Sequence, residues 1–311
     1  MRAVTLPQVP GTPELAEAEK PRPEAGEVLV KVAASSVNGF DLGTVAGYLQ
    51  GVMEHRFPLI PGKDFAGTVE AVGEGVEGFA VGDAVFGVVT KAHLGTGSMA
   101  QYVAVPAAIG IAHQPEGVSV RDAGALGLAG TAAFDGLALL GPLEGRTVLI
   151  SGATGGVGAI AVQLAAARGA RVIATAKPGS ESSFVSALTD AELTVVDYTQ
   201  DVTAQVRAVA PDGVDAVLHL AGDVAELTAL ACDGGAVASA LGVPESPEDR
   251  KLQTAMIQSK PTADTLSTLA GQVASGALKV SVNSEFDLEQ APEAFAAFGG
   301  GTVGKIAITV A

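Results

Sequence analysis

The stretch from Val148 to Gly158 constrains this chain most. An apolar run, Val148-Leu149-Ile150, enters Ser151-Gly152-Ala153-Thr154-Gly155-Gly156-Val157-Gly158, and an Ala/Leu-rich segment follows. Strand, glycine-rich turn and helix in that order turn a glycine pattern into a dinucleotide fingerprint. Glycines let the backbone approach a pyrophosphate, and the amides at the helix start point at it with the helix dipole behind them. The spacing is G-x-x-G-x-x-G, one residue longer in the turn than the usual pattern. Gly152, Thr154, Gly155, Gly156, Val157 and Gly158 are therefore the expected phosphate cradle. Glycine turns between strand and helix also occur for purely structural reasons, and the intact flanking order selects the ligand reading.

The cradle sits in an alternating series. Thr147 to Ile150, Arg171 to Thr175, Leu193 to Val196, Asp215 to Leu220, Gly235 to Ala240 and Ala255 to Ile257 read as apolar strands. Helical segments, Val157 to Arg168, Ser183 to Leu188 and Val202 to Val209, separate the first of them. Continuous apolar strands divided by helices predict a parallel sheet covered on both faces. Six of them suit a doubly wound (Rossmann) α/β fold with strand order 3-2-1-4-5-6. Residues 1–118 read instead as β-rich, with strand-like Glu27 to Ala34, Phe65 to Val72, Asp83 to Val89 and Met99 to Val105. The helical Arg121 to Leu140 follows, ended by Gly141-Pro142. The tail holds a helix over Thr262 to Ala274, a strand over Lys279 to Val282, a helix over Glu289 to Phe298 and a strand over Lys305 to Val310. The expected division is 1–118, 119–258 and a return segment 259–311.

Charge and cysteine usage exclude several function classes. The net charge of -16 would repel nucleic acid and an acidic membrane surface over most of the molecule. The single cysteine, Cys232, forms neither an internal disulfide nor a four-cysteine zinc site. No basic stretch followed by an apolar run opens the sequence, and apolar segments fall short of the ~20 residues a membrane helix needs. A cytoplasmic protein is expected.

The end of the second strand distinguishes NADH from NADPH, because an acidic residue there binds the ribose hydroxyls and repels a 2′-phosphate. The stretch reads Thr175-Ala176-Lys177-Pro178-Gly179-Ser180, with a lysine and hydroxyls and no carboxylate. Glu181 is read as opening the next helix. NADPH is the expected cofactor, with Thr175 and Lys177 beside its phosphate; the alternative for Lys177 is a solvated surface charge.

The chain resembles the zinc-independent quinone oxidoreductase branch of the medium-chain dehydrogenase/reductases, the group that includes zeta-crystallin. The resemblance rests on Pro61-Gly62-Lys63-Asp64-Phe65-Ala66-Gly67, Val72-Gly73, Val81-Gly82-Asp83-Ala84-Val85, the cradle and Gly304-Lys305-Ile306. It implies a GroES-like catalytic domain beside the Rossmann domain, and a tail that returns to the former. Zinc alcohol dehydrogenases of the superfamily hold their metal through a Cys after the second strand and a His-Glu pair. Those places here carry Asn38 and Lys63-Asp64. Asn is a poor zinc ligand and a lysine ammonium repels the ion, so no metal is expected. The four histidines, His55, His93, His113 and His219, are scattered; His219 lies nearest the expected ligand edge of the sheet.

Without a Lewis acid, hydride delivery to a quinone or conjugated carbonyl is the reaction implied, aided by hydrogen-bond donors. The resemblance assigns Asn38 and Tyr48 to the substrate carbonyl. Asn38 could instead cap the helix that begins beside it, with Asp41 in a capping role. Thr131, Tyr198, Ala221, Ser239 and Leu241 are assigned by position to the cofactor. The family's lysine on the helix after the second strand is Ser183 here, which leaves the 2′-phosphate to Lys177, Thr175 and Tyr198. Rival functions are reduction of alkenals, enones or enoyl thioesters, and a non-catalytic NADPH-binding role. An acyl-CoA needs a basic channel, which 18 Lys and Arg residues disfavour. The apolar fifth and sixth strands at one sheet edge predict a homodimer, unless the polar Pro244 to Lys251 segment covers them.

Overall fold

Every residue except Asp249 is described by the computed structural model. The chain divides into two compact units, Met1–Ala129 with Pro261–Ala311, and Gly130–Lys260. The helix Val120–Leu139 runs through the point of division. Its early Gly124 packs on Ala34 and its later Gly136 on Leu218 and Ile257, so each half belongs to a different unit.

In the unit 130–260, six strands form one sheet in the order Leu193–Val196, Arg171–Thr175, Thr147–Ile150, Val214–His219, Ala231–Ser239 and Gln253–Met256. Every neighbouring pair is parallel. This is the doubly wound order 3-2-1-4-5-6, in which the chain reverses direction beside the first strand. The inner strands Thr147–Ile150 and Arg171–Thr175 are buried over most of their length, as expected where helices cover both faces, whereas the outer strand Gln253–Met256 is partly polar and little buried. Leu149, Ile173, Val217 and Val237 meet Val206 and Leu227 from the helices Val202–Val209 and Val224–Thr228 in one buried cluster.

The unit built from residues 1–129 and 261–311 holds a seven-stranded sheet and two two-stranded ones. The long central strand Glu27–Val37 pairs antiparallel with Asp64–Val72, Tyr102–Pro106 and Lys305–Thr309. The tail therefore completes this sheet, and the register Ile306↔Val37 brings Lys305 next to Asn38. Phe65, Val30, Val32, Val103 and Ile308 fill its core.

The expected strand over Lys279 to Val282 is not formed; the strand lies at Val282–Asp287 and pairs in parallel with Lys305–Thr309. Four of its six residues are polar and exposed, and only Val282 and Phe286 are apolar, so no continuous apolar run marks it. The helix after the second strand of the parallel sheet begins at Ser180, ahead of the expected Ser183. Gly179, at φ 102°, takes a left-handed turn that few side chains tolerate, and Ser182 Oγ accepts its N–H at 3.1 Å.

Candidate functional site

The cradle is a turn in which two glycines are required. Gly152 follows the first strand at φ +63°, and its N–H donates to Thr175 Oγ1 at 3.0 Å. That bond ties the turn to the end of the second strand. Ser151 ties it to the fourth, its Oγ accepting from Leu220 N at 3.0 Å and Ala221 N at 3.3 Å. A Cβ on Gly158 would lie 2.2 Å from Gly152 O and 2.7 Å from Ala153 Cα, so helix and turn could not pack with any side chain there. Gly155 differs: its nearest neighbour would be Gly152 O at 3.5 Å, so no protein wall stands there. The helix Gly156–Ala167 starts behind it with no side-chain cap. First-turn amides have no partner inside a helix, so the cradle suits a phosphate.

The region beyond the second strand corrects one expectation. The Glu181 carboxylate does stand there, because the early helix start puts it one turn after Lys177. Its Oε1 lies 3.1 Å from Lys177 Nζ and accepts from Tyr198 OH at 3.2 Å, while Oε2 accepts from Lys177 N at 3.2 Å. Burial works against ionisation of Glu181, but the hydrogen bonds from Lys177 and Tyr198 outweigh it and hold the carboxyl below its usual range. The same hydrogen bond raises the Lys177 pKa, and burial, then Glu181, raises that of Tyr198. The Lys177–Glu181 pair at i,i+4 was the available signal in the sequence.

The other assigned positions in this unit are differently placed. Thr131 is fully buried within the helix Val120–Leu139. Ser239, also fully buried, accepts Leu241 N–H at 3.0 Å and contacts His219 Nδ1 at 2.9 Å, while Leu241 itself is exposed. His219 Nε2 lies 3.1 Å from Gly222 O, an acceptor, so that nitrogen donates there. His219 is thus a buried packing residue with both ring nitrogens hydrogen-bonded.

In the other unit, Asn38 belongs to a buried polar network. Asp64 Oδ2 accepts from Ser36 Oγ at 2.6 Å and Asn38 Nδ2 at 2.9 Å, and Oδ1 accepts from Leu128 N at 2.6 Å. Lys305 Nζ donates to Asn38 Oδ1 at 2.6 Å and lies 3.4 Å from Asp64 Oδ2. Asn38 also precedes the helix Gly39–Val45, its N–H donating to Asp41 Oδ2 at 3.0 Å. The amide of Asn38 is engaged on both ends. Tyr48 stands apart from this network, 80% exposed. Burial, reinforced by the Asp64 charge, pushes the Asp41 carboxyl up to about 7. Lys63 donates to Val89 O and lies over the Phe40 ring, and burial lowers its pKa. Sequence reading missed the Ser36–Asp64–Lys305 part, which joins residues far apart in the chain.

At the positions where zinc relatives carry ligands, the donor set does not fit the ion. The Asn38 oxygen is spent on Lys305, Lys63 is a cation, and Asp64 is held by Ser36, Leu128 and Lys305. Among the described residues no three His, Cys, Asp or Glu side chains are grouped to share a metal, and no helix is long and apolar enough to cross a membrane.

Residues 24–116 match the alcohol dehydrogenase GroES-like domain, and residues 191–308 match the zinc-binding dehydrogenase family. The chain is 30% identical over 306 residues to a chloroplast envelope quinone oxidoreductase homolog of Arabidopsis thaliana, covering 93% of this chain and 91% of that protein. It is 29% identical to 2-methylene-furan-3-one reductase of Solanum lycopersicum, over 91% of this chain and 71% of the relative. The solved quinone oxidoreductase from Coxiella burnetii superposes with a TM-score of 0.87 at 26% identity, over 100% of this chain and 99% of that one.

Proposed function

We propose, from the premise that the chain belongs to the quinone oxidoreductase branch of the medium-chain dehydrogenase/reductases, that it is an NADPH-dependent reductase of quinones working without metal. The observation that carries the reading is the glycine cradle joined through Thr175 to the end of the second strand, beyond which Lys177 and Tyr198 stand with their side-chain donors on Glu181. Gly152, Thr154, Gly155, Gly156, Val157 and Gly158 would hold the pyrophosphate. Thr175, Lys177 and Tyr198 would hold the adenosine end, and Thr131, Ala221, Ser239 and Leu241 the remainder. When bound, the nicotinamide supplies a hydride.

On the substrate side we assign Asn38 and Tyr48 as donors to a carbonyl oxygen. Asn38 Nδ2 already donates to Asp64 Oδ2 at 2.9 Å and to Asp41 Oδ2 at 3.3 Å, so it reaches a substrate oxygen only by giving up one of these bonds, whereas the Tyr48 side chain is 80% exposed. With a donor on its oxygen, a quinone or enone needs no Lewis acid. The zinc-free reading is supported by the spent donors around Asn38 and by the Lys63 ammonium. Reduction of enones is the second reading, favoured by the similarity to a furanone reductase. Oxidation of NADPH by a panel of quinones and enones tests both.

We also propose a homodimer joined at the outer strand Gln253–Met256, acting in the cytoplasm. Leu241, Val243 and Met256 are exposed near that edge. In the segment expected to cover it, Arg250 Nη1 donates to Ala229 O at 2.8 Å and Lys251 N to Asp233 Oδ1 at 3.0 Å, so these residues are tied to the start of the fifth strand instead. Asp249 of that segment lies outside the described residues. Light scattering at low micromolar concentration should give twice the 30.8 kDa of one chain. A mass of one chain would refute the dimer.

A further inference from the structure

We infer that Glu181 sets how strongly this chain discriminates NADPH from NADH, by occupying the donors that a 2′-phosphate would use. The inference rests on the proposed NADPH reading and deepens it. Three donors converge on the one carboxylate: Lys177 Nζ at 3.1 Å, Tyr198 OH at 3.2 Å and Lys177 N at 3.2 Å. The first two belong to residues just past the ends of the second and third strands, Arg171–Thr175 and Leu193–Val196, the edge at which the adenosine ribose is read in this fold. Charge-assisted hydrogen bonds to a phosphate form only if these donors are released or shared.

The two carboxylate partners differ in freedom. The Glu181 side chain is 11% exposed and tethered by the Lys177 backbone amide, whereas the Lys177 side chain is 52% exposed. Lys177 can therefore swing toward a ligand while Glu181 stays. A 2′-phosphate arriving there meets a carboxylate of like charge beside the ammonium it needs, whereas a ribose bearing two hydroxyls can donate to the same carboxylate. One residue thus penalises NADPH and favours NADH, and Lys177 works against it. The net preference is a balance within this pair, not the property of a lone lysine.

The test compares adenosine 2′,5′-bisphosphate with 5′-AMP, probes that differ only in the 2′-phosphate, by calorimetry on the full-length protein. Glu181→Gln removes the charge and keeps one acceptor oxygen, enough for either Tyr198 OH or the Lys177 amide. It should tighten 2′,5′-bisphosphate binding about tenfold and leave 5′-AMP unchanged or slightly weaker, a selectivity shift of roughly 1.4 kcal/mol. Lys177→Met should weaken the bisphosphate alone. If Lys177→Met lowers selectivity but Glu181→Gln does not raise it, the inference fails and the NADPH reading stands. If the native protein binds both probes alike and Lys177→Met changes neither, the NADPH reading fails and the inference with it. A parallel change for both probes in Glu181→Gln would show a merely structural role and also overturn it.

Discussion

Lys305→Met should lower the stability of the protein by ~3–5 kcal/mol, the cost of leaving one member of a buried ion pair without its partner. The Lys305 side chain is 4% exposed and that of Asp64 0%, so water cannot replace the ammonium. Lys305 also closes the tail strand onto the central strand of its sheet, through Asn38 Oδ1 and Val37 O. The remaining bonds to Asp64 from Ser36, Asn38 and Leu128 should keep the loss toward the lower end of that range. Replacing both partners, Lys305→Met with Asp64→Asn, should recover part of it. Urea unfolding measures both variants; a loss under about 1 kcal/mol for the single change would show that the ammonium is not needed to offset the carboxylate.

Gly158→Ala should damage both the cradle and what it binds. The new methyl group would sit 2.2 Å from a backbone oxygen that no rotamer change can move. Overpacking of this kind costs ~1–3 kcal/mol, and the helix start must shift away from the turn. Dinucleotide affinity should fall at least about tenfold, or 1.4 kcal/mol. Gly155→Ala is the informative contrast. Its Cβ would meet nothing nearer than 3.5 Å and its φ of -74° suits alanine, so stability should hold. Affinity should still fall, because the methyl group would enter the space the pyrophosphate occupies. Cofactor titration and thermal melting of the two variants separate packing from binding. Undiminished affinity in Gly155→Ala would place the phosphate elsewhere.

The parallel sheet was legible because its first three strands are short apolar runs separated by helices, and Thr147–Ile150, Arg171–Thr175 and Leu193–Val196 have the bounds the sequence predicts. Buried parallel strands carry this signal in their composition, whereas Val282–Asp287 lies half in solvent and carries none. The glycine turn was equally legible as backbone geometry, since Gly152 and Gly158 answer to local packing. The network around Asn38 was not, because its members come from four separate segments. Asp64 and Lys305 stand 241 residues apart in sequence and meet only through the register of the tail strand. Glu181 was misjudged for a smaller reason: a helix that starts at Ser180 turns its side chain back onto Lys177, and the start itself depends on the left-handed turn at Gly179.

The proposed reaction is hydride transfer from NADPH to a conjugated carbonyl without a metal ion. The direct measurement is the decay of nicotinamide absorbance when chelator-dialysed protein, shown free of zinc by elemental analysis, is mixed with NADPH and a series of quinones and enones. Turnover of at least one quinone at the same rate before and after dialysis is the expected result. Loss of turnover on dialysis with recovery on added zinc, or no NADPH oxidation with any acceptor, would contradict it.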